Sequence, residues 1–404
     1  MNEVSLTRLQ WAGLAASLLL PSLALANTAG ATFVPVYLAG GGLLLWLLMR
    51  PFERATRRLG ERTAAWTILV LLCLTLLAVV VVHPRIDTTG ATLFGVSIGS
   101  SDNDDAVDVG ITRLLDGENP YRAKTFLGNP VAPLPGAFLL ALPFYALGDS
   151  AVQNVFWLAV FAALLWRLGG RARIALILLL SVLLVSPDVV YQMLQGGDYA
   201  TDALATAAFA ALIVDLARRA SPSWQIALAA VGLGIAVTTR VNLLLVVPLV
   251  VAVVWRAHGA DLREQAGIGR PPATAVRAAV LTAAVVAATV CALVLPLYFW
   301  DPPHFAPLLT REKASFATFG PLGGWLVPVA GVAVTAALCW AGRSQDARGL
   351  FRDAALVQMT LVLGGFALSS FERGEPHWFY LHYGLMFLFF GVAAWGTPLL
   401  REDE

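Results

Sequence analysis

Four aspartates fall between positions 102 and 108 of SSDNDDAVDVGITRLLDGENPY, residues 100–121, the most acidic stretch of an otherwise apolar chain. Asp102, Asp104 and Asp105, with Asp108 one turn on, are residues of the type that takes a proton from a hydroxyl. Beside a low-dielectric cavity a carboxylate holds that proton more readily and serves as a general base. Val107, Ile111, Leu114 and Leu115 follow helical spacing, and Asp105, Asp108, Thr112 and Asp116 share the opposite face. This predicts an amphipathic helix along a membrane surface, its apolar stripe in lipid and its carboxylates toward water or a cavity. The same residues also suit a solvated helix start, with Ser101 as cap and Asp104 three residues on.

The elements that must hold this stretch are membrane helices. With 404 residues, 58% hydrophobic, 13% charged and a mean hydropathy of +0.74, the composition excludes a soluble domain of this length. Apolar runs long enough for a hydrocarbon core of about 30 Å recur throughout, so one integral membrane domain over 1–404 is expected. Ala24-Leu25-Ala26 before Asn27 resembles a signal-peptidase site, but the many later runs favour an uncleaved first helix. RPFERATRRLGER carries five arginines against two glutamates, which makes that loop cytoplasmic and sends the third run, about 64–83, to the other side. Segment 84–132 then faces outward. Prolines in VAPLPGAFLLALPFYALG mark a short or re-entrant element rather than a full span. Further runs at about 150–166, 173–187, 200–216, 224–239, 241–255, 276–299, 322–341, 354–370 and 379–397 bring the expectation to about 12 spans with both ends cytoplasmic. On that alternation the inner loops are basic and the outer loops acidic. The near-neutral net charge of +1 and the lack of a basic tract exclude nucleic acid as a partner. Cys73, Cys291 and Cys339 sit inside apolar runs without metal-ligand spacing.

The outer loops gather groups that a reaction on a phosphate-linked substrate needs. The first offers Tyr121 and Lys124, one of two lysines in the chain. The second holds Gln195 and Asp198 beside Gly196-Gly197, which permits a tight turn. The third offers His304, Arg311 and Lys313, and the fourth Arg373, His377 and His382; His83 borders the same face. Aromatic, His and Arg side chains near helix ends also anchor proteins at the interface. Arg240 stands in TTRVN between two apolar runs with almost no loop, where a guanidinium suits a phosphate or snorkels from a helix end.

RLLDGENPY, the return segment APLPGAFLLALPF and the following LGDSAVQNVFW resemble membrane glycosyltransferases of the GT-C fold. Within that fold they are most similar to bacterial polyprenyl-phosphate-mannose-dependent mannosyltransferases. The resemblance covers about residues 101–160; the rest matches as a many-helix architecture. It implies an all-α polytopic enzyme of a bacterial inner membrane that transfers a sugar, mannose being one candidate, from a polyprenyl-phosphate donor to a glycan or glycolipid acceptor on the outer face. An early outer-loop carboxylate is the base in such enzymes, which falls here on Asp102, Asp104 or Asp105. Lys124, Arg240, Arg311, Lys313 and Arg373 are then candidates for the donor phosphate. Asp108, Tyr121, Gln195, Asp198, His304, His377 and His382 are candidates for substrate binding or acid–base assistance. No cofactor and no metal site are expected, since no nucleotide diphosphate needs neutralising, although clustered aspartates also suit a divalent cation. A lipid-linked-substrate transporter or flippase and a non-catalytic membrane scaffold are the alternatives. The first would carry polar residues through the spans to the inner side, and the second would tolerate loss of the carboxylates.

Overall fold

A computed structural model describes residues 3–86, 91–93, 96–98, 101–258, 273–307 and 323–401. The chain is a polytopic helical membrane protein. Among the described residues nine helices are long and apolar enough to cross a membrane, and a tenth follows if the bent pair Ala172–Val185 and Pro187–Leu194 counts as one span. The expected number was about twelve. The difference lies in Ser223–Val237 and Val241–Ala257, which fall below full span length; the 15 residues of the former cover only about 22 Å at the helical rise. The proline-marked run is short, as its sequence requires: Pro135–Tyr145 has 11 residues. One antiparallel pair of strands, Ala91–Leu93 with Val96–Ile98, interrupts the helical pattern.

Contacts divide the chain into two compact units. The first comprises Met1–Asp104, Ala151–Leu204 and Val362–Glu404. Its centre is the last apolar segment, Trp378–Leu400, 89% buried in its most apolar window against 11% for Glu61–Ile86. Phe387, Phe389 and Phe390 are fully buried there, and the segment packs on Glu3–Leu19 and Pro21–Leu25. Approach is close because Gly391 has no side chain: a Cβ there would stand 1.9 Å from Ser17 Oγ.

A 76° bend separates Ala172–Val185 from Pro187–Leu194. Proline cannot continue the first helix and pushes the preceding Ser186 out of the helical region, to φ −113°, ψ 75°. The backbone groups released by the break find side-chain partners. Tyr37 Oη donates to the Val185 carbonyl at 2.8 Å, and the Asp188 amide donates to Ser22 Oγ at 3.1 Å. Ser186 Oγ donates to the Leu18 carbonyl. The bend is therefore a fixed corner, and Asp188 sits in the first turn after it.

The second unit comprises Asp105–Ser150 and Ala205–Leu361. Ser223–Val237 and Val246–Ala257 both pack on the long helix Ala273–Trp300, with Gly234 facing Thr289. The Thr238-Thr239-Arg240 turn between them receives the start of Pro135–Tyr145. The Leu134 amide donates to the Thr239 carbonyl at 3.3 Å and the Gly136 amide to the Thr238 carbonyl at 3.0 Å. These bonds satisfy donors that a helix start leaves unpaired.

The acidic helix is Asn103–Leu115, beginning in the first unit and continuing in the second. Its expected placement along lipid is corrected. Val107 and Ile111 are 1% and 2% exposed, and they join Tyr121, Leu134, Phe138 and Phe305 in a protein core. Phe138 reaches the helix axis because Gly110 leaves room; a Cβ there would meet its ring at 2.4 Å. Aromatic rings supplied from outside the helix made a protein core available to the stripe, so lipid was not its only apolar partner.

Candidate functional site

In the first unit two carboxylate–imidazole pairs are assembled from segments far apart in sequence. Asp104 Oδ2 lies 3.0 Å from His83 Nε2, both side chains less than a tenth exposed. His83 Nδ1 lies 3.1 Å from the Leu194 carbonyl, which can only accept, so Nδ1 carries a proton. The Nε2–Oδ2 contact therefore holds one more proton, on imidazole or on carboxyl. Among the described residues the other oxygen, Asp104 Oδ1, is buried without a hydrogen-bond partner. A buried acceptor left open beside a proton-sharing imidazole is suited to receive a proton from a hydroxyl.

Gly196 backs this carboxylate. Its φ of +72° is left-handed, and a Cβ there would stand 2.5 Å from Asp104 Cγ. Gly196→Ala is expected to cost about 1–2 kcal/mol from the backbone alone, more if Asp104 must shift. A lowered melting temperature of the purified full chain checks it, and an unchanged one contradicts the packing. The neighbouring Gly197 carbonyl accepts from Asn154 Nδ2 at 3.0 Å, and Asn154 Oδ1 accepts from Thr201 at 3.0 Å, so the turn is braced on both sides.

The second pair is Asp188 with His382. Nδ1 of His382 stands 2.7 Å from Asp188 Oδ1 and 3.2 Å from Gln192 Nε2, and Tyr191 stacks on the imidazole at 5.9 Å. Asp188 is completely buried. Gln195 and Asp198 are buried on the same loop. His377 is placed differently. Its Nδ1 is 2.5 Å from Ser369 Oγ and its amide donates to Ser370 Oγ. Partial burial, and then the Arg373 charge, push its pKa below the usual histidine value. Arg373 itself is exposed in the last turn of Ala347–Arg373.

Of the three candidate bases, Asp104 alone is buried. Asp102 and Asp105 are half-buried, and Asp105 Oδ2 accepts the Phe126 amide at 2.8 Å, a loop-fixing bond in the second unit. Asp108, one turn on, is half-buried. Tyr121 is a core residue: its ring lies 4.7 Å from Phe305, and its hydroxyl donates to the Pro133 carbonyl. Burial pushes its phenol well up from the usual value. Lys124 is exposed and Arg240 half-buried at the Thr238-Thr239-Arg240 turn. Arg311 and Lys313 lie outside the described residues. Among the described residues no three His, Cys, Asp or Glu side chains converge as metal ligands.

His304 is exposed and bonded to Asp301 at 3.0 Å, and Arg122 Nε bonds the other oxygen of that carboxylate. The His304 bond first, and Arg122 next, hold the Asp301 carboxyl below its usual value. A depressed carboxylate stabilises the fold above its unfolded pKa and loses that contribution as pH falls through the folded value. Lowering the pH from 7 to below about 4 should thus lower the melting temperature of wild type more than that of Asp301→Asn. Equal losses would show that the link carries no stability.

Sequence reasoning set His83 aside as a boundary residue and did not select Asp188, Gln192 or Asn154. His83 at the end of a span, and Asp188 beside a proline in an apolar run, were the available signals. No family model, curated protein or solved structure matches the chain.

Proposed function

We propose that this membrane protein is a glycosyltransferase that moves a sugar from a polyprenyl phosphate to an acceptor hydroxyl at the outer face of a bacterial inner membrane, with Asp104 as base. The observation that carries the reading is the open, buried Oδ1 of Asp104 beside His83. In the reaction the acceptor hydroxyl gives its proton to Asp104 Oδ1 as its oxygen bonds the anomeric carbon. The bond from that carbon to the phosphate oxygen breaks, and polyprenyl phosphate leaves with the electron pair. His83 Nε2, 3.0 Å from Oδ2, keeps the carboxylate oriented, a positioning role. Arg373, in the same unit as Asp104, is the cation proposed for the departing phosphate, and mannose is the first sugar to test.

The test is release of polyprenyl phosphate from a panel of labelled polyprenyl-phosphate sugars by the full chain in lipid. Turnover of one donor, lost in Asp104→Asn, supports the reading. A folded protein that turns over none, or that carries intact donor across a bilayer without transfer, overturns it.

A further inference from the structure

The second unit holds a cleft of about 400 Å³ lined by Arg113, Glu118, Asn119, Arg122, Ala123 and Trp300. It lies between the end of the acidic helix, the Asn119-Pro120-Tyr121 turn and the last residue of Ala273–Trp300. The volume suits a mono- or disaccharide-sized ligand.

Its chemistry is mixed. Arg113 and Glu118 form an ion pair across the wall, each about half exposed. Arg122 Nε is held by Asp301. Trp300 exposes half of its surface, and an indole offers a broad apolar face. Asn119 is 94% buried, its Oδ1 accepting the Tyr121 amide. Among the described residues its Nδ2 has no hydrogen-bond partner. A buried amide donor left unsatisfied costs about 1–3 kcal/mol in general, so a ligand that accepts from it is favoured.

We infer that this cleft is a carbohydrate-binding site, in which a sugar ring of the acceptor lies on Trp300 while its hydroxyls bridge Arg113, Glu118 and Asn119. Sugar hydroxyls both donate and accept, and this wall supplies both functions: guanidinium and amide donors beside a carboxylate acceptor. A phosphate would meet the Glu118 carboxylate and compete with acids that already hold both arginines. This deepens the proposed glycosyl transfer and rests on it for the ligand's role as acceptor; the binding chemistry stands on the cleft alone.

The experiment is equilibrium dialysis of tritiated oligosaccharides with mannose, galactose or arabinose ends against the full chain in lipid nanodiscs, without glycoside detergents, whose sugar heads would compete. Wild type, Trp300→Ala and Glu118→Ala are compared. Glu118 belongs to an exposed pair of little value to stability, so that variant should remain folded. Saturable binding by wild type, weakened about tenfold or more by each substitution, is the expected result. The proposal is overturned if no oligosaccharide binds wild type, if binding is unchanged in both variants, or if inorganic pyrophosphate displaces the sugar. Trp300 would then be an interface anchor, or the cleft an anion site. Dialysis involves no turnover, so its failure leaves the donor-release test of Asp104 untouched.

Discussion

Asp104→Asn should lower sugar transfer by about 10²–10⁴-fold in protein that still accumulates and folds. The amide is the same size and still accepts at one atom, but it cannot take up a proton. Asp102→Asn and Asp105→Asn should retain most activity. Asp102 is only half-buried, and Asp105 spends an oxygen on the Phe126 amide, a bond that an asparagine oxygen also makes. Initial rates on the donor that wild type uses decide between the three. A loss that falls on Asp102 or Asp105 instead would move the base to that residue.

The largest stability effect is expected at the second pair. His382→Leu leaves Asp188, completely buried, without the imidazole 2.7 Å away, and stranding a buried charge costs about 3–5 kcal/mol. Removing both charges with Asp188→Leu and His382→Leu together should restore much of that loss, because an apolar pair of similar volume carries no desolvation penalty. Asp188→Asn with His382 intact should fall between, since the amide keeps a hydrogen bond at the corner after Ser186. Thermal unfolding of wild type, Asp188→Leu, His382→Leu and the double variant, with Asp188→Asn beside them, in one lipid composition measures the coupling. Additive losses would show that the two residues act separately.

The membrane class was legible because apolar runs need no partner to be recognised. The acidic helix was legible too: Asn103–Leu115 lies where the apolar spacing put it, and Ser101 Oγ accepts the Asn103 amide near its start. What the helix packs on was not legible. A stripe such as Val107 and Ile111 fits lipid and protein equally, and Phe138 and Phe305 decide the matter from elsewhere in the chain. Hydropathy failed in the same way for the terminal segment. Trp378–Leu400 has a mean value of 1.5 and is nearly all buried, whereas Glu61–Ile86 has 2.9 and is largely exposed. Within a membrane, apolarity does not distinguish a lipid-facing helix from a central one.

The site was legible as residue types and not as pairs. Asp104 was one of three equal candidates, and its distinction comes from His83, 21 positions earlier, and from Gly196 behind it. Asp188 and His382 are separated by 194 residues, and no local pattern in either segment encodes the meeting. Tyr121 illustrates the converse: its place in an uncommon Asn-Pro-Tyr turn suggested chemistry, but Asn119 and Pro120 instead shape a turn that buries the ring.

The most direct measurement of the central claim is release of labelled polyprenyl phosphate by wild type and Asp104→Asn, purified and reconstituted side by side with one polyprenyl-phosphate sugar and an oligosaccharide acceptor. The account predicts acceptor-dependent release by wild type and none above background by the variant at equal folded protein. Equal release by both, or none by a well-folded wild type across the donor panel, would contradict it.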